Sequence, residues 1–374
     1  MRTPRIAVSA MFILNGGLFG LWASRIPAFV ERFALEPAAL GQLLLCMAGG
    51  AILSFPLAGW LSDRIGGAKA SRQVGIIYAL SLPLVALAPN IWSLALALTL
   101  FGGCHGAMDV TMNTWAAEVE RKAKRPIMAT FHAMWSLGAG FGAASGWLAV
   151  AGGLIPLAHF TIGSALIAVP MLWLSMIPWQ SQTTPSKPGF ALPPKRLVAV
   201  GLVAFCSSVG EGAMADWSAL FLTTIAATDE ATAALGYGVF SAAMVVARLL
   251  GHHVIAAVGP VTTARLCGAC ATLGLVIALL GASLITGLIG FALVGIGYSV
   301  MIPLAFSRAA NEPGLAPGGA IAGVATLGYG GMLIGPVLIG AIAQVTSLAT
   351  GFAVLAVLAA AIVVAAGALR PSDA

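Results

Sequence analysis

The sequence predicts an all-α membrane protein of twelve transmembrane helices, arranged as two pseudo-symmetric six-helix bundles. The prediction rests on the composition, the number of apolar windows and an internal repeat. Of the 374 residues, 60% are apolar and only 8% are charged, and the mean hydropathy is +1.00. A soluble domain has about 25% charged residues, so this chain cannot cover a water-facing surface and has to be embedded in lipid.

Apolar windows follow one another along the whole chain, separated by polar breaks. Each is near the length of about 20 residues that a membrane span requires, and each has to be a helix because lipid offers the backbone no hydrogen-bond partner. A membrane β-barrel is excluded, since its strands alternate between apolar and polar residues. The windows cover residues 6–28, 39–61, 73–89, 91–117, 127–150, 157–178, 197–225, 235–257, 264–284, 286–307, 319–345 and 349–369.

The basic residues orient the spans. With the N-terminus inside, 15 of the 18 Lys and Arg residues fall on the inner side, and only Arg25 and Arg32 fall outside. This asymmetry follows the positive-inside rule and predicts that both termini are cytoplasmic. The outer loops carry Glu31, Glu36, Asp229 and Glu230.

A flexible linker divides the chain into two halves. The stretch from Gln180 to Gly189 is rich in Pro, Ser and Thr, a composition typical of linkers. We therefore predict an N-terminal bundle over residues 1–178, a cytoplasmic linker over 179–196 and a C-terminal bundle over 197–374. The Lys187 charge lies in this linker.

The two halves resemble each other in sequence. Residues 136–140 read Ser-Leu-Gly-Ala-Gly, and 190 residues later the chain reads Thr-Leu-Gly-Tyr-Gly. Asn15-Gly16-Gly17 matches Gly210-Glu211-Gly212 at an offset of 195. A near-constant offset indicates a duplicated six-helix unit. In transporters built this way, the substrate site lies at the midplane between the repeats.

Several function classes are excluded or unlikely on composition alone. The five cysteines all fall within apolar runs, and the Cys267–Cys270 pair has no His or acidic neighbour to complete a metal site. We expect no cofactor and no metal. The chain lacks the P-loop signature, so ATP does not drive it, and no basic run is long enough for nucleic-acid binding.

One inner loop carries a recognisable motif. Between spans 2 and 3 the chain reads Gly59-Trp60-Leu61-Ser62-Asp63-Arg64-Ile65-Gly66-Gly67-Ala68-Lys69. This resembles the G-x-L-x-D-R-x-G-R-K signature of the major facilitator superfamily. Gly59 and Gly66 suit a tight turn, and Asp63 can cap the next helix or pair across the two halves. The resemblance implies that Arg64 pairs with an acid at the inner end of span 4, where Glu118 stands.

A finer resemblance concerns spans 4, 5 and 7. Residues 106–113 look like the G-x-x-E-T-x-x-N pattern of fucose-permease-like proton symporters, and residues 131–138 and 211–219 are similar to MosC-type bacterial permeases. These relationships imply a bacterial inner-membrane protein. One departure is clear: fucose permeases carry an Asp in span 1, whereas residues 22–27 here read Trp-Ala-Ser-Arg-Ile-Pro.

Ionisable residues at membrane depth indicate function, because burying one costs a few kcal/mol. His105, Asp109 and Asn113 in span 4 are spaced to share one helix face, and His132 in span 5 lies at a similar depth. A carboxylate beside an imidazole can hold or pass a proton. The predicted proton-coupling residues are Asp109, Glu211, His105 and His132, and Arg248 is expected to pair with an acid or a loop carbonyl.

The predicted substrate-binding residues combine polar groups and aromatic rings in the cavity-lining spans. Amide and acidic groups can bond a polar solute, and tryptophan rings can stack on a sugar face, although such rings also anchor membrane interfaces. The set is Asn15, Trp22, Asp109, Asn113, Trp135, Glu211, Asp216 and Trp217.

The leading hypothesis is a secondary transporter that moves a small, sugar-like polar solute by proton symport, working as a monomer in the lipid bilayer. The alternative is proton antiport that exports an amphipathic compound. The usual G-x3-G-P sign of antiport is absent from span 5, but residues 331–336 in span 11 offer something like it. An intramembrane enzyme lacks a nucleophile or a metal cluster, and a channel fits poorly with duplicated halves.

Overall fold

The protein is built from helices over the residues that the structure, a computed structural model, describes: 2–35, 37–184, 192–228, 230–233 and 235–372. Glu36, Lys187, Asp229 and part of the predicted linker (residues 185–191) lie outside them. The helices are α1 (Pro4–Ser24), α2 (Ile26–Phe33), α3 (Pro37–Ile65), α4 (Gly67–Leu87), α5 (Ile91–Ala123), α6 (Met128–Ala151), α7 (Pro156–Ser175), α8 (Val198–Thr224), α9 (Glu230–Ala233), α10 (Leu235–Gly281), α11 (Leu284–Tyr298), α12 (Met301–Ala310), α13 (Pro317–Val345) and α14 (Leu348–Ala365).

Every predicted window coincides with one helix or with two consecutive helices among the described residues. Ten helical segments are long and apolar enough to cross a membrane. One of them, α10, accounts for two windows because its backbone breaks at Gly259, where φ is 79°. The 24-residue apolar helix α6 accounts for the window that the ten do not include. The all-α membrane fold is thereby confirmed.

Two windows and one motif residue differ in detail from the predictions. The first window continues across Arg25, but the chain turns there between α1 and α2, and Pro27 sits in the first turn of α2. The helix of the third window, α4, begins at Gly67, earlier than predicted, because Gly66 makes the turn with φ 86°. Gly59 is not part of that turn: it lies inside α3, where the α13 backbone at Gly318 approaches it closely.

Bulky apolar side chains cover the outside of the helices. Leu80, Leu96, Leu280 and Val364 are between 67% and 86% exposed. In water such a surface would associate, whereas in a bilayer the lipid tails solvate it. The molecule is therefore a multi-pass membrane protein.

Two compact units are distinguished within the chain. The first comprises Met1–Lys124, Phe131–Ala191 and Gly314–Ala322, and the second comprises Arg125–Thr130, Leu192–Pro313 and Gly323–Ala374. The start of α13 thus groups with the first unit. The domain boundaries inferred from the sequence at residues 178 and 197 remain a prediction.

Glycines make close helix contacts in both units. In the first unit, α6 lies directly against α1, and in the second unit α13 lies directly against α8. The contacting pairs are Gly138–Ile13, Gly142–Gly17, Gly331–Phe205 and Gly335–Val209. Gly331 follows Gly138 by 193 residues, and Phe205 follows Ile13 by 192, so the offset seen in the sequence returns as a repeated packing contact.

Candidate functional site

A buried polar stripe runs along α5 in the first unit. His105, Asp109 and Asn113 recur every fourth residue, so they share one face of the helix, and all three are at least nine-tenths buried. The Asn113 side-chain amide donates to the Asp109 carboxylate at 3.0 Å and to the Asp109 backbone carbonyl at 2.8 Å. The predicted stripe is therefore present, and its acid is held by a neighbour one turn away.

His132 joins this stripe from α6. Its Nε2 lies 3.1 Å from Asn113 Oδ1. Because the Asn113 amide nitrogen donates to Asp109, its oxygen is left to accept, which assigns the ring proton to Nε2. His132, Asn113 and Asp109 thus form one hydrogen-bonded chain across two helices.

A second group of polar contacts surrounds His105. The Tyr78 hydroxyl on α4 lies 3.0 Å from His105 Nδ1. The Asn15 side chain on α1 donates to the His105 backbone carbonyl at 3.4 Å and accepts from the Trp135 indole N–H at 3.2 Å. Asn15 is fully buried and bonded on both sides, so protein groups occupy its amide in this structure.

The predicted tryptophans lie in different surroundings. Trp22 is 2% exposed and packs among aromatic rings, with centroid distances of 5.3 Å to Phe29 and 6.4 Å to Phe101. Trp135 is partly exposed and lies 5.9 Å from the Phe19 ring. Trp217 is partly exposed on α8 beside Gly340.

The second unit holds an ion pair on its polar helix. Glu211 on α8 faces Arg248 on α10, with 3.4 Å between the carboxylate oxygen and Nη2. Arg248 also donates from Nε to the Ser299 carbonyl at 3.1 Å, so it has both kinds of partner that the sequence predicted. The Ser207 hydroxyl donates to the other oxygen of Glu211 at 3.4 Å. The arrangement couples the charge of Glu211 to a buried cation.

One further residue packs beside this ion pair, and another acid lies on the same helix. Tyr298 on α11 is fully buried, its ring packs on Gly210, and its hydroxyl has no hydrogen-bond partner among the described residues. Asp216 lies farther along α8 and is exposed. Glu211 and Asp216 therefore occupy different environments on the same helix.

The motif loop is anchored through Asp63. Its carboxylate accepts from the backbone N–H groups of Gly318 at 2.9 Å and Gly319 at 3.2 Å, in the first turn of α13. A negative charge at this position offsets the positive end of the helix dipole. Of the two roles considered, capping the next helix is not observed, since α4 begins at Gly67 and its N-cap residue, Gly66, receives no side-chain hydrogen bond.

The expected Arg64–Glu118 pair is not formed. Glu118 instead accepts from the indole N–H of Trp179 at 2.7 Å, and the Arg64 guanidinium lies over the Trp60 ring at 5.0 Å. The difference has a physical cause: the chain leaving α7 crosses the end of α5 and brings its own donor to Glu118. Arg121 holds the same segment by donating to Gln182 at 3.2 Å.

Sequence reasoning missed Tyr78, Tyr298 and Trp179. Tyr78 lies on α4, a helix to which no proton-coupling or substrate-binding residue was assigned. Its depth in the span could have revealed it. Tyrosines favour membrane interfaces, so a tyrosine in the middle of a span needs a polar partner. Trp179 follows the last apolar residue of its window and gave no such signal.

Known proteins resemble this chain over almost its whole length. The sequence model of the Major Facilitator Superfamily matches residues 7–330. The chain is 42% identical over 371 residues to an uncharacterized transporter, y4wD, of Sinorhizobium fredii, with 98% of each chain covered. It is 32% identical to the membrane protein MosC of Rhizobium meliloti, covering 96% of this chain and 88% of the relative.

Solved structures of low sequence identity share the fold. FucP in its outward conformation aligns with a TM-score of 0.78 at 14% identity, covering 97% of this chain and 98% of FucP. The human organic anion transporter MFSD10 aligns with a TM-score of 0.77 at 16% identity, covering 99% and 100%.

Proposed function

This chain belongs to the Major Facilitator Superfamily and is a secondary transporter, and we propose that it carries a small polar, sugar-like solute by proton symport. The two six-helix repeats would alternate access to the solute from either side. The solute and the proton are the ligands of the proposed mechanism.

The observation that carries the proposal is the buried chain of Asp109, Asn113 and His132. A carboxyl group in a lipid-embedded bundle is costly, and a purely structural polar residue there would serve as well uncharged. Asp109 is held by an amide that can accept from His132 and donate to the carboxylate. Such a chain supports loading and release of a proton at Asp109, with His105 and His132 as neighbouring imidazoles.

Glu211 is the second candidate for the proton. Its partner Arg248 favours the ionised carboxylate, so protonation would release the guanidinium to another anion or acceptor. In the proposed mechanism, Asp109 is the titrating acid of the first half and Glu211 is that of the second half. Asp109 is favoured as the coupling site because it belongs to the buried hydrogen-bonded chain with Asn113 and His132.

The proposed solute contacts come from both halves. Asn15, Trp22, Asp109, Asn113 and Trp135 would serve the first half. Glu211, Asp216 and Trp217 would serve the second. A sugar-like solute is supported by the span 4 pattern and by the fold shared with FucP, a fucose:proton symporter of E. coli. Asn15 and Trp22 would have to become accessible in another conformation, since both are buried here.

The proposed gate consists of Gly59, Asp63, Arg64, Gly66 and Glu118. Asp63 would stabilise one state of the transporter by holding the start of α13. We further propose that the protein is a monomer in the inner membrane. The distribution of basic residues supports cytoplasmic termini.

A solute screen followed by a proton measurement tests this function. The purified protein is first screened by thermal unfolding against sugars, polyols, amino acids and organic acids, because a ligand of the folded state raises its stability. Each stabilising solute is then added outside proteoliposomes that contain a pH-sensitive dye. Symport predicts acidification of the lumen as the solute enters. Alkalinisation would support the antiport alternative, and no pH change with solute uptake would contradict proton coupling.

A further inference from the structure

A polar cluster lies apart from the proposed transport residues, where α1 gives way to α2. Arg25 stands in the break between these helices and is only 6% exposed. Its Nη2 donates to the Leu154 carbonyl at 3.0 Å. Its Nε and Nη1 are buried and have no acceptor, and no ion pair among the described residues includes it. Arg25 is thus a buried cation with unused donors.

His159 reaches the same place from α7. It is 5% exposed, and its Nε2 lies 3.0 Å from the Ser145 hydroxyl. Gly146, the neighbour of Ser145, packs directly on Ser24, the neighbour of Arg25. The Leu154 carbonyl that accepts from Arg25 lies only five residues before His159 in the chain. Nδ1 of His159 is buried without a partner.

The protonation of the His159 ring follows from Ser145. The Ser145 hydroxyl donates its one proton to the Gly142 carbonyl at 2.6 Å, so toward His159 it can only accept. Nε2 must therefore carry the ring proton, and Nδ1 of the neutral ring presents a lone pair. The cluster offers unused donors from Arg25 and an unused acceptor from His159.

The start of α7 adds positive potential to the cluster. Leu154, which binds Arg25, lies two residues before Pro156, where this 20-residue helix begins without a side-chain cap. The N-terminus of a helix attracts anions through its free N–H groups and its dipole. The side chains placed in the cluster are a guanidinium, an imidazole and a hydroxyl, and none of them is acidic.

We propose that Arg25 and His159 form a binding site for a hydroxyl-bearing oxyanion of the phosphate class. Oxygens of the anion would accept from Arg25, and a hydroxyl of the same ligand would donate to Nδ1 of His159. Such a ligand satisfies the buried groups that the protein leaves without partners. The site is separate from the transport residues and does not depend on the proposed function.

Two sources supply this chemistry. Hydrogen phosphate carries both acceptor oxygens and a hydroxyl. The headgroup of phosphatidylglycerol combines a phosphate with glycerol hydroxyls, and the site lies at the end of a membrane span, near headgroup depth. Sulfate has the same shape as phosphate but no hydroxyl near neutral pH, so it serves as the discriminating control.

The test uses thermal unfolding of the delipidated full chain in dodecyl maltoside at pH 7. One arm titrates sodium phosphate against sodium sulfate at equal ionic strength. The other adds dioleoyl phosphatidylglycerol against dioleoylglycerol, which has the same acyl chains and no phosphate. Affinities follow from the dependence of the midpoint temperature on ligand concentration. Arg32→Gln is the matched control, because Arg32 already has the Ala86 and Ala88 carbonyls as acceptors.

The site predicts that phosphate, phosphatidylglycerol or both stabilise the wild type more than their controls do. Arg25→Gln should weaken that affinity about tenfold or more, since charge-assisted hydrogen bonds are lost. His159→Phe should remove the preference for phosphate over sulfate, and Arg32→Gln should keep the full response. If Arg25→Gln does not fold, Arg25→Lys and His159→Phe carry the test. No stabilisation by either ligand over its control, or a full response in the Arg25 and His159 variants, would overturn the proposal.

Discussion

Glu211 and Arg248 depend on each other for charge neutralisation. The guanidinium is nearly buried, and 21% of the Glu211 side chain is exposed. Glu211→Gln should lower the free energy of unfolding by about 1–3 kcal/mol, below the range for a fully buried pair, because Arg248 loses its counter-charge. The double variant Glu211→Gln, Arg248→Gln should recover part of this loss.

Chemical unfolding of the single and double variants measures this coupling. Asp216→Asn is the matched control on the same helix, since Asp216 is exposed, and it should leave stability unchanged. If solute affinity also falls in Glu211→Gln while the protein stays folded, Glu211 contacts solute. Additive effects of the two single changes would show that the ion pair contributes nothing.

Helix contacts in both units depend on glycines at particular positions. A Cβ at Gly142 would meet the Gly17 backbone, and one at Gly331 would meet the Phe205 backbone, whereas Gly140 and Gly330 face open space. Gly142→Ala and Gly331→Ala should each lower stability by about 1–3 kcal/mol through overpacking. Gly140→Ala and Gly330→Ala should be neutral or stabilise by up to about 1 kcal/mol through helix propensity.

Thermal unfolding of these four variants tests whether both halves of the repeat depend on the same kind of close glycine contact. Each destabilising change has a control one or two residues away on the same helix, so surface and expression effects cancel. Equal effects at the close and the open positions would contradict the assigned contacts.

The contact between Asp63 and the start of α13 makes a prediction about the gate. Asp63→Asn keeps the shape but removes the charge that offsets the helix dipole, a loss of about 0.3–1 kcal/mol. A change of this size shifts a two-state population severalfold. The variant should therefore spend more time with the predicted inner face open.

Cysteine labelling measures that shift. In a cysteine-free background, Ser62→Cys places a probe at a buried position beside Asp63, and Lys69→Cys places a control at an exposed position of the same region. Asp63→Asn should speed maleimide labelling at position 62 and leave position 69 unchanged. An unchanged rate at position 62 would exclude Asp63 from the gate.

The orientation of the whole molecule in the membrane is a further prediction. The excess of basic residues on one side predicts cytoplasmic termini and an outer connection at Gly153, between α6 and α7. Alkaline phosphatase fused after the last residue should be inactive, and a fusion at Gly153 should be active, because the enzyme works only outside the cytoplasm. The reverse pattern would invert the proposed topology.

The sequence predicted the parts of this molecule that depend on local pattern. Window length located the helices, and four-residue spacing placed Asp109 and Asn113 on one face, where they bond. The repeat offset read from the sequence also recurs in the structure, in the glycine contacts between α1 and α6 and between α8 and α13. These features follow from helix geometry alone.

Contacts between distant segments could not be predicted in this way. The motif showed that Asp63 has a partner, but not that the partner is the backbone of α13. Glu118 was assigned to Arg64 by resemblance, whereas the path of the chain after α7 gives it to Trp179. The bond between Tyr78 and His105 depends on how two helices are rotated, which hydropathy does not encode.

Proton coupling at Asp109 is the central claim about the whole molecule, and gradient-driven transport tests it most directly. Uptake of a solute identified by the thermal screen is measured in proteoliposomes with and without an imposed pH gradient, for the wild type, Asp109→Asn and the control Glu31→Gln, which removes an exposed acid outside the proposed site. We predict that Asp109→Asn loses accumulation against a concentration gradient yet still exchanges solute for solute, because exchange needs no net release of a proton. Accumulation by Asp109→Asn at the level of the wild type would contradict the account and move the proton to Glu211.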